Sequence, residues 1–161
     1  MSVTSDILRT YRAPRAVLRG ILAAGPREDR AIAYVMLACL IIFVAQWPLM
    51  SREAFENPEV PFEARLGATL IAWLFAMPLV LYGLAGLSHV IARLFGGKGS
   101  WYSARIALFW TLLAVSPLML LRGLVAGFIG PGVQMTVCDG IVTLAFLVLW
   151  SISLIEAERA P

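Results

Sequence analysis

Residues 31–50 read AIAYVMLACLIIFVAQWPLM, twenty positions without a single charge. A hydrocarbon core of about 30 Å takes roughly 20 helical residues to cross, so this run is long enough to span a bilayer as one helix. Three more runs follow it: Leu66 to Leu87, about Tyr102 to Phe128, and about Met135 to Ile155. The second continues as an amphipathic extension to Phe95 that carries Ser88, His89 and Arg93. In lipid a chain must satisfy its own backbone polar groups, which for runs of this length means helix. The reading is therefore an all-α membrane protein of four transmembrane helices.

The composition agrees. Of 161 residues, 60% are hydrophobic and 14% charged, against roughly 45–50% and about 25% for soluble domains. The mean hydropathy is +0.84. The four runs consume most of the chain, leaving no segment of the size that a separate soluble catalytic domain needs. Met1 to Arg30 has six arginines and no secretion-type apolar core, so the first run serves as both signal and anchor. Twelve of the thirteen basic residues are arginine, a bias that, with abundant Ala and Gly, points to a GC-rich bacterial genome.

Orientation follows from Lys and Arg in the short connections. The six N-terminal arginines and the connection with Arg93, Lys98 and Arg105 mark the cytoplasmic side. Ser51 to Arg65 offsets two arginines with Glu53, Glu56, Glu59 and Glu63, and Gly130 to Gly132 has no charge. Both termini are expected in the cytoplasm, with the protein in a bacterial inner membrane. Trp47, Trp101, Tyr102 and Trp150 fall near the ends of spans, where amphipathic rings favour the headgroup level.

Ahead of the first span, Ile7, Leu8, Tyr11, Pro14, Val17, Leu18, Ile21 and Leu22 gather on one side of a helical wheel, flanked by Arg9, Arg12, Arg15 and Arg19. This predicts an interfacial amphipathic segment whose arginines contact lipid headgroups. Proline has no N–H and is tolerated at the first position of a helix, so a break is expected near Ala13 with a second helix opening on Pro14.

Small residues set where helices approach. Gly123 and Gly127 form a GxxxG, and Ala68, Ala72 and Ala76 repeat every four residues; both patterns predict helix packing, within the chain or between copies. Pro78 and Pro117 are expected to distort their spans. Arg122 and Asp139 each follow or precede sixteen uncharged residues counted from the cytoplasmic side, which puts them at one depth on antiparallel neighbours and predicts an ion pair. The alternative is that each is satisfied separately, by headgroups and by a helix N-terminus.

No HExxH, GxSxG, Walker loop or GxGxxG occurs, and no span has an acidic residue near its centre. His89 is the sole histidine, and the sequence puts no acid beside it. Cys39 and Cys138 lack metal-ligand spacing and read as structural thiols. No catalytic residue, cofactor, metal or nucleic-acid partner is expected. The sequence points to a structural, organising or accessory protein whose partners are membrane lipids and other membrane proteins or itself. The alternative is a small-solute transporter or channel built around the second and third spans.

Three stretches resemble the Yip family of polytopic membrane proteins, named in eukaryotes for interaction with Rab-type GTPases. They are Ala13-Pro14-Arg15-Ala16-Val17-Leu18-Arg19-Gly20-Ile21-Leu22, Phe95-Gly96-Gly97-Lys98-Gly99-Ser100-Trp101, and the Ala104 to Leu121 helix with Pro117. The resemblance covers about Pro14 to Trp150, and extends to reading residues 1–161 as a single domain of that kind. It implies a non-enzymatic all-helical membrane protein with a cytosolic N-terminus. Family members usually have about five spans and, in eukaryotes, a long N-terminal region with tyrosine and glycine; this chain has four runs and lacks that region, which argues against GTPase binding.

Overall fold

The computed structural model describes residues 3–159, and every regular element among them is helical. Two short helices, α1 (Val3–Thr10) and α2 (Pro14–Ala23), precede four long rods. The first rod, Glu28–Glu56, is α3 (Glu28–Ala45) followed by α4 (Trp47–Glu56). The second, Phe62–Leu94, is α5 (Phe62–Ile71), a π-turn at Ala72–Ala76 and α6 (Met77–Leu94). The third and fourth are α7 (Trp101–Phe128) and α8 (Val133–Arg159). All four are long and apolar enough to cross a membrane.

Proline explains the interruptions. Ala13 is non-helical and Pro14 opens α2 as its first residue, a position where the missing N–H costs nothing. Pro48 stands at the start of α4, just past the break at Gln46, whose N–H turns back to the carbonyls of Phe43 and Val44. Ahead of Pro78 the helix widens, with the Met77 N–H reaching the Ala72 carbonyl five residues back. A π-turn there accommodates the proline without breaking the rod. Within α7, Pro117 has no N–H to give to the Leu113 carbonyl, and the Ser116 hydroxyl donates to it instead at 2.7 Å.

The third span is the core. Side chains from Ile106 through Val115 on α7 are all buried, Phe109 and Trp110 among the largest. A helix buried all round needs partners on every side. The first span lies along it with Ala38, Cys39 and Ile42, the second brings Leu81 and Ala85, and α8 packs through Val142 and Leu149. By contrast the second span stays largely open, with Phe75, Leu79 and Leu94 outward. Phe109 meets Tyr82 edge-on at 4.9 Å between centroids, and Trp110 meets Tyr34 at 5.1 Å.

Gly123 and Gly127 mark the closest approach. A Cβ on Gly123 would come 1.9 Å from the Ala45 carbonyl oxygen, and one on Gly127 would lie 2.3 Å from Pro48 Cβ. The GxxxG is thus spent within the chain, pressing α7 onto the α3–α4 junction. The alanine repeat is different: Ala68, Ala72 and Ala76 are exposed. Small spacing alone does not choose a partner, and the second span turns its Trp73 and Met77 side to the core instead. Replacing Gly123 by Leu should lower detergent-unfolding stability by at least about 2 kcal/mol, while Ala72→Leu should stay within about 0.5 kcal/mol. Equal losses would show that the two faces are not distinguished in this way.

Candidate functional site at the loop-facing end of the bundle

Charged and polar groups converge where α2, α6, the loop before α7 and the last turn of α8 meet. The loop contains Gly97, Lys98 and Gly99. A Cβ on Gly97 would lie 2.6 Å from Glu158 Oε2, and one on Gly99 would lie 2.5 Å from the Ala157 carbonyl oxygen. Glycine lets the loop close directly over the end of α8. There the Lys98 N–H donates to the Glu158 carbonyl at 2.9 Å, and the Gly99 N–H to Glu158 Oε2 at 3.0 Å. Ser100 then caps α7: its Oγ accepts from the Ser103 N–H at 3.0 Å, and the Ser103 hydroxyl accepts from the Ser100 N–H at 2.9 Å.

Glu158 and His89 form the buried centre. Glu158 Oε1 lies 2.7 Å from His89 Nδ1, with the histidine 1% exposed and its ring 4.7 Å from that of Trp101. The sequence puts no acid beside His89; the fold brings one from 69 residues away. Two positions earlier Glu156 points to the other side of α8 and pairs with Arg19 of α2. Residues two apart on a helix diverge by about 200°, so a single last turn holds α6 with one carboxylate and α2 with the other. A third link crosses the same end, where Arg105 Nη2 stands 2.6 Å from Glu28 Oε1 and the Arg105 guanidinium covers the Tyr82 ring.

The N-terminal helices dock onto this end and reach inward. Val17, Leu18 and Ile21 of α2 are buried with the bundle core, so this apolar face is turned onto the protein rather than toward lipid. At the end of α1 the Trp110 indole N–H donates to Thr10 Oγ1 at 3.0 Å, and the Thr10 hydroxyl donates to the Asp6 carbonyl at 2.7 Å. The Tyr11 hydroxyl donates to the Ala114 carbonyl at 2.6 Å, three residues before Pro117. Burial pushes the Tyr11 phenol up, which keeps it the donor in this bond. Arg12 and Arg15 remain exposed, Arg9 lines a cleft beside α3, and Arg19 is held by Glu156 although its stem is open to the surroundings.

At the opposite end Arg122 Nε lies 2.5 Å from Asp139 Oδ1, tying α7 to α8. Arg52 pairs with Glu56 at 2.8 Å and donates to the Gly127 carbonyl at 3.3 Å, one of those left open at the end of α7. Gly130, at φ +85°, turns the chain there. The thiols of Cys39 and Cys138 are free.

Four apolar rods, three of them packed against the buried stretch of the third, define a multi-pass α-helical membrane protein. The Yip1 domain family matches residues 8–157, nearly the full chain, and the protein belongs to that family. No curated protein and no solved structure matches it.

The sequence does not single out Glu156 or Glu158 because the fourth apolar run ends at Ile155, one residue before the first and three before the second. The signal was present as two acids on opposite faces of a final turn, beside a glycine loop and the only histidine. Glu158→Ala should leave His89 and the Gly99 N–H buried without their acceptor, lowering detergent-unfolding stability by about 3 kcal/mol. A loss under about 0.5 kcal/mol would remove the pair from the bundle's support.

Proposed function

We propose that the protein is a non-enzymatic membrane scaffold, an organising or accessory component that works by holding lipid and protein partners against its surface. The observation that carries this reading is the filled third span. Mid-depth on α7 is packed by Phe109, Trp110 and Leu113, and its hydroxyls are satisfied within the protein: Thr111 Oγ1 donates to the Ala107 carbonyl at 2.7 Å with Ser153 Oγ of α8 at 3.4 Å, and Ser116 donates to Leu113. A solute path would instead need polar groups converging on a wet lumen at that depth. Membership of the Yip1 family supports the same reading.

In this account the membrane is the inner membrane of a bacterium and both termini lie in the cytoplasm. The arginine distribution supports that orientation. The partners are membrane lipids first, then other membrane proteins or a second copy. The outward alanine face of the second rod offers close approach to another helix.

Cross-linking in native membranes, followed by purification of the tagged chain, tests the scaffold role. A discrete cross-linked species of defined partner or copy number is expected, and liposomes carrying the purified protein should equilibrate glycerol and urea no faster than empty ones. A chain that cross-links to nothing and speeds solute equilibration would replace the scaffold with a transporter.

A further inference from the structure

A cleft of about 370 Å³ opens between the N-terminal helices and the first and third spans. Helix α1 contributes Asp6 and Arg9, α3 contributes Arg30 and Tyr34, α2 presents Gly20, and Trp110 of α7 lies at the back. Asp6 and Arg9 are three apart and Arg30 and Tyr34 four apart, so each pair shares one helix face. Among the described residues neither Arg9 nor Arg30 has a carboxylate partner; every other ion pair at this end is made by Arg19, Arg27, Arg105 or His89. Two guanidiniums against one carboxylate leave a single positive charge in the cleft unbalanced.

Depth decides what can balance it. Arg30 immediately precedes the uncharged run that begins at Ala31, so the cleft stands where hydrocarbon gives way to headgroups. Tyr34 lies one turn deeper, and Trp110 is tied to α1 through Thr10. The charged rim therefore opens toward the headgroup layer while the aromatic back lies beside hydrocarbon. A Cβ on Gly20 would meet nothing within 4 Å, so the wall of α2 is open at this position.

We propose that this cleft binds the headgroup of one anionic glycerophospholipid, its phosphodiester held between Arg9 and Arg30 and one acyl chain running past Trp110. Guanidinium forks match phosphate oxygens in geometry and charge. A phosphodiester carries one negative charge, which neutralises the excess; Asp6 opposes a second. A choline headgroup would bring its own cation against the two arginines. The inference shares the bilayer placement of the scaffold reading, yet it stands or falls on lipid binding alone.

The test is native mass spectrometry of the full chain in mild detergent, titrated with dioctanoyl phosphatidylglycerol, dioctanoyl phosphatidylcholine or inorganic phosphate. One saturable phosphatidylglycerol adduct is expected, with phosphatidylcholine and phosphate each at least about tenfold weaker. Replacing Arg9 and Arg30 together by Gln should weaken the adduct at least about tenfold, whereas the same replacement of Arg12 and Arg15, outside the cleft, should leave it unchanged. Gly20→Leu should fill the cleft and abolish the adduct while the melting temperature holds or rises, and it decides the matter if the double arginine variant does not fold. Retention of the adduct in Gly20→Leu would overturn the site. Equal losses from both arginine pairs would reduce it to surface charge, and phosphate binding as tightly as the lipid would make the ligand a soluble anion; either result rejects the proposal.

Discussion

The fold depends on how closely the first and third spans approach at Gly123. In lipid an apolar helix gains no hydrophobic free energy by leaving hydrocarbon for another apolar helix, so contact distance and polar links decide which faces meet. Gly123 lets the α7 backbone lie against the Ala45 carbonyl, and Gly127 seats Pro48 one turn on. Arg52 secures the junction by donating to the Gly127 carbonyl. With α7 fixed against α3 and α4, its remaining faces are left for α6, α8 and the N-terminal helices, and its stretch from Ile106 to Val115 becomes the enclosed centre.

The polar links are concentrated at the two ends of that centre, where water and headgroups can share their cost. Arg122 and Asp139 join α7 to α8 at one end. At the other, the last turn of α8 reaches His89 with Glu158 and Arg19 with Glu156. The hydrogen bonds that α1 and its following turn make to Trp110 and Ala114 lie deeper, and they are made by neutral groups, the kind that lipid-facing depth tolerates. This division places the charges of the N-terminal helices around a rim and their apolar side chains against the bundle.

Length and charge made the architecture legible. Four apolar runs gave four rods, and the Pro14 break is a local consequence of proline chemistry that needs no tertiary information. Gly123 and Gly127 were readable as a close-approach pair, but their partner was not, because nothing in GxxxG names Ala45 or Pro48. Ala68, Ala72 and Ala76 carry the same spacing and face outward, which shows how little spacing alone specifies. The polar end was the least legible part. His89 and Glu158 are brought together only by the docking of α6 beside α8, and the Gly97 to Gly99 loop looks like an ordinary connection until the carboxylate beneath it is seen. Of the apolar face patterned over residues 7–22, Val17, Leu18 and Ile21 are buried while Leu8 and Tyr11 stay exposed; whether protein or lipid covers such a face is a tertiary question that the pattern alone does not answer.

Residues 106–115 of the third span are enclosed by the other spans. Photolabelling with a lipid-phase carbene reagent, mapped residue by residue in reconstituted bilayers, measures this directly. The account predicts label on Phe75 and Leu79 of the second rod and on Leu144 and Leu147 of α8, all exposed, and almost none on Phe109, Trp110 or Leu113 of α7. Labelling of these α7 residues to the same extent as the other spans would contradict it.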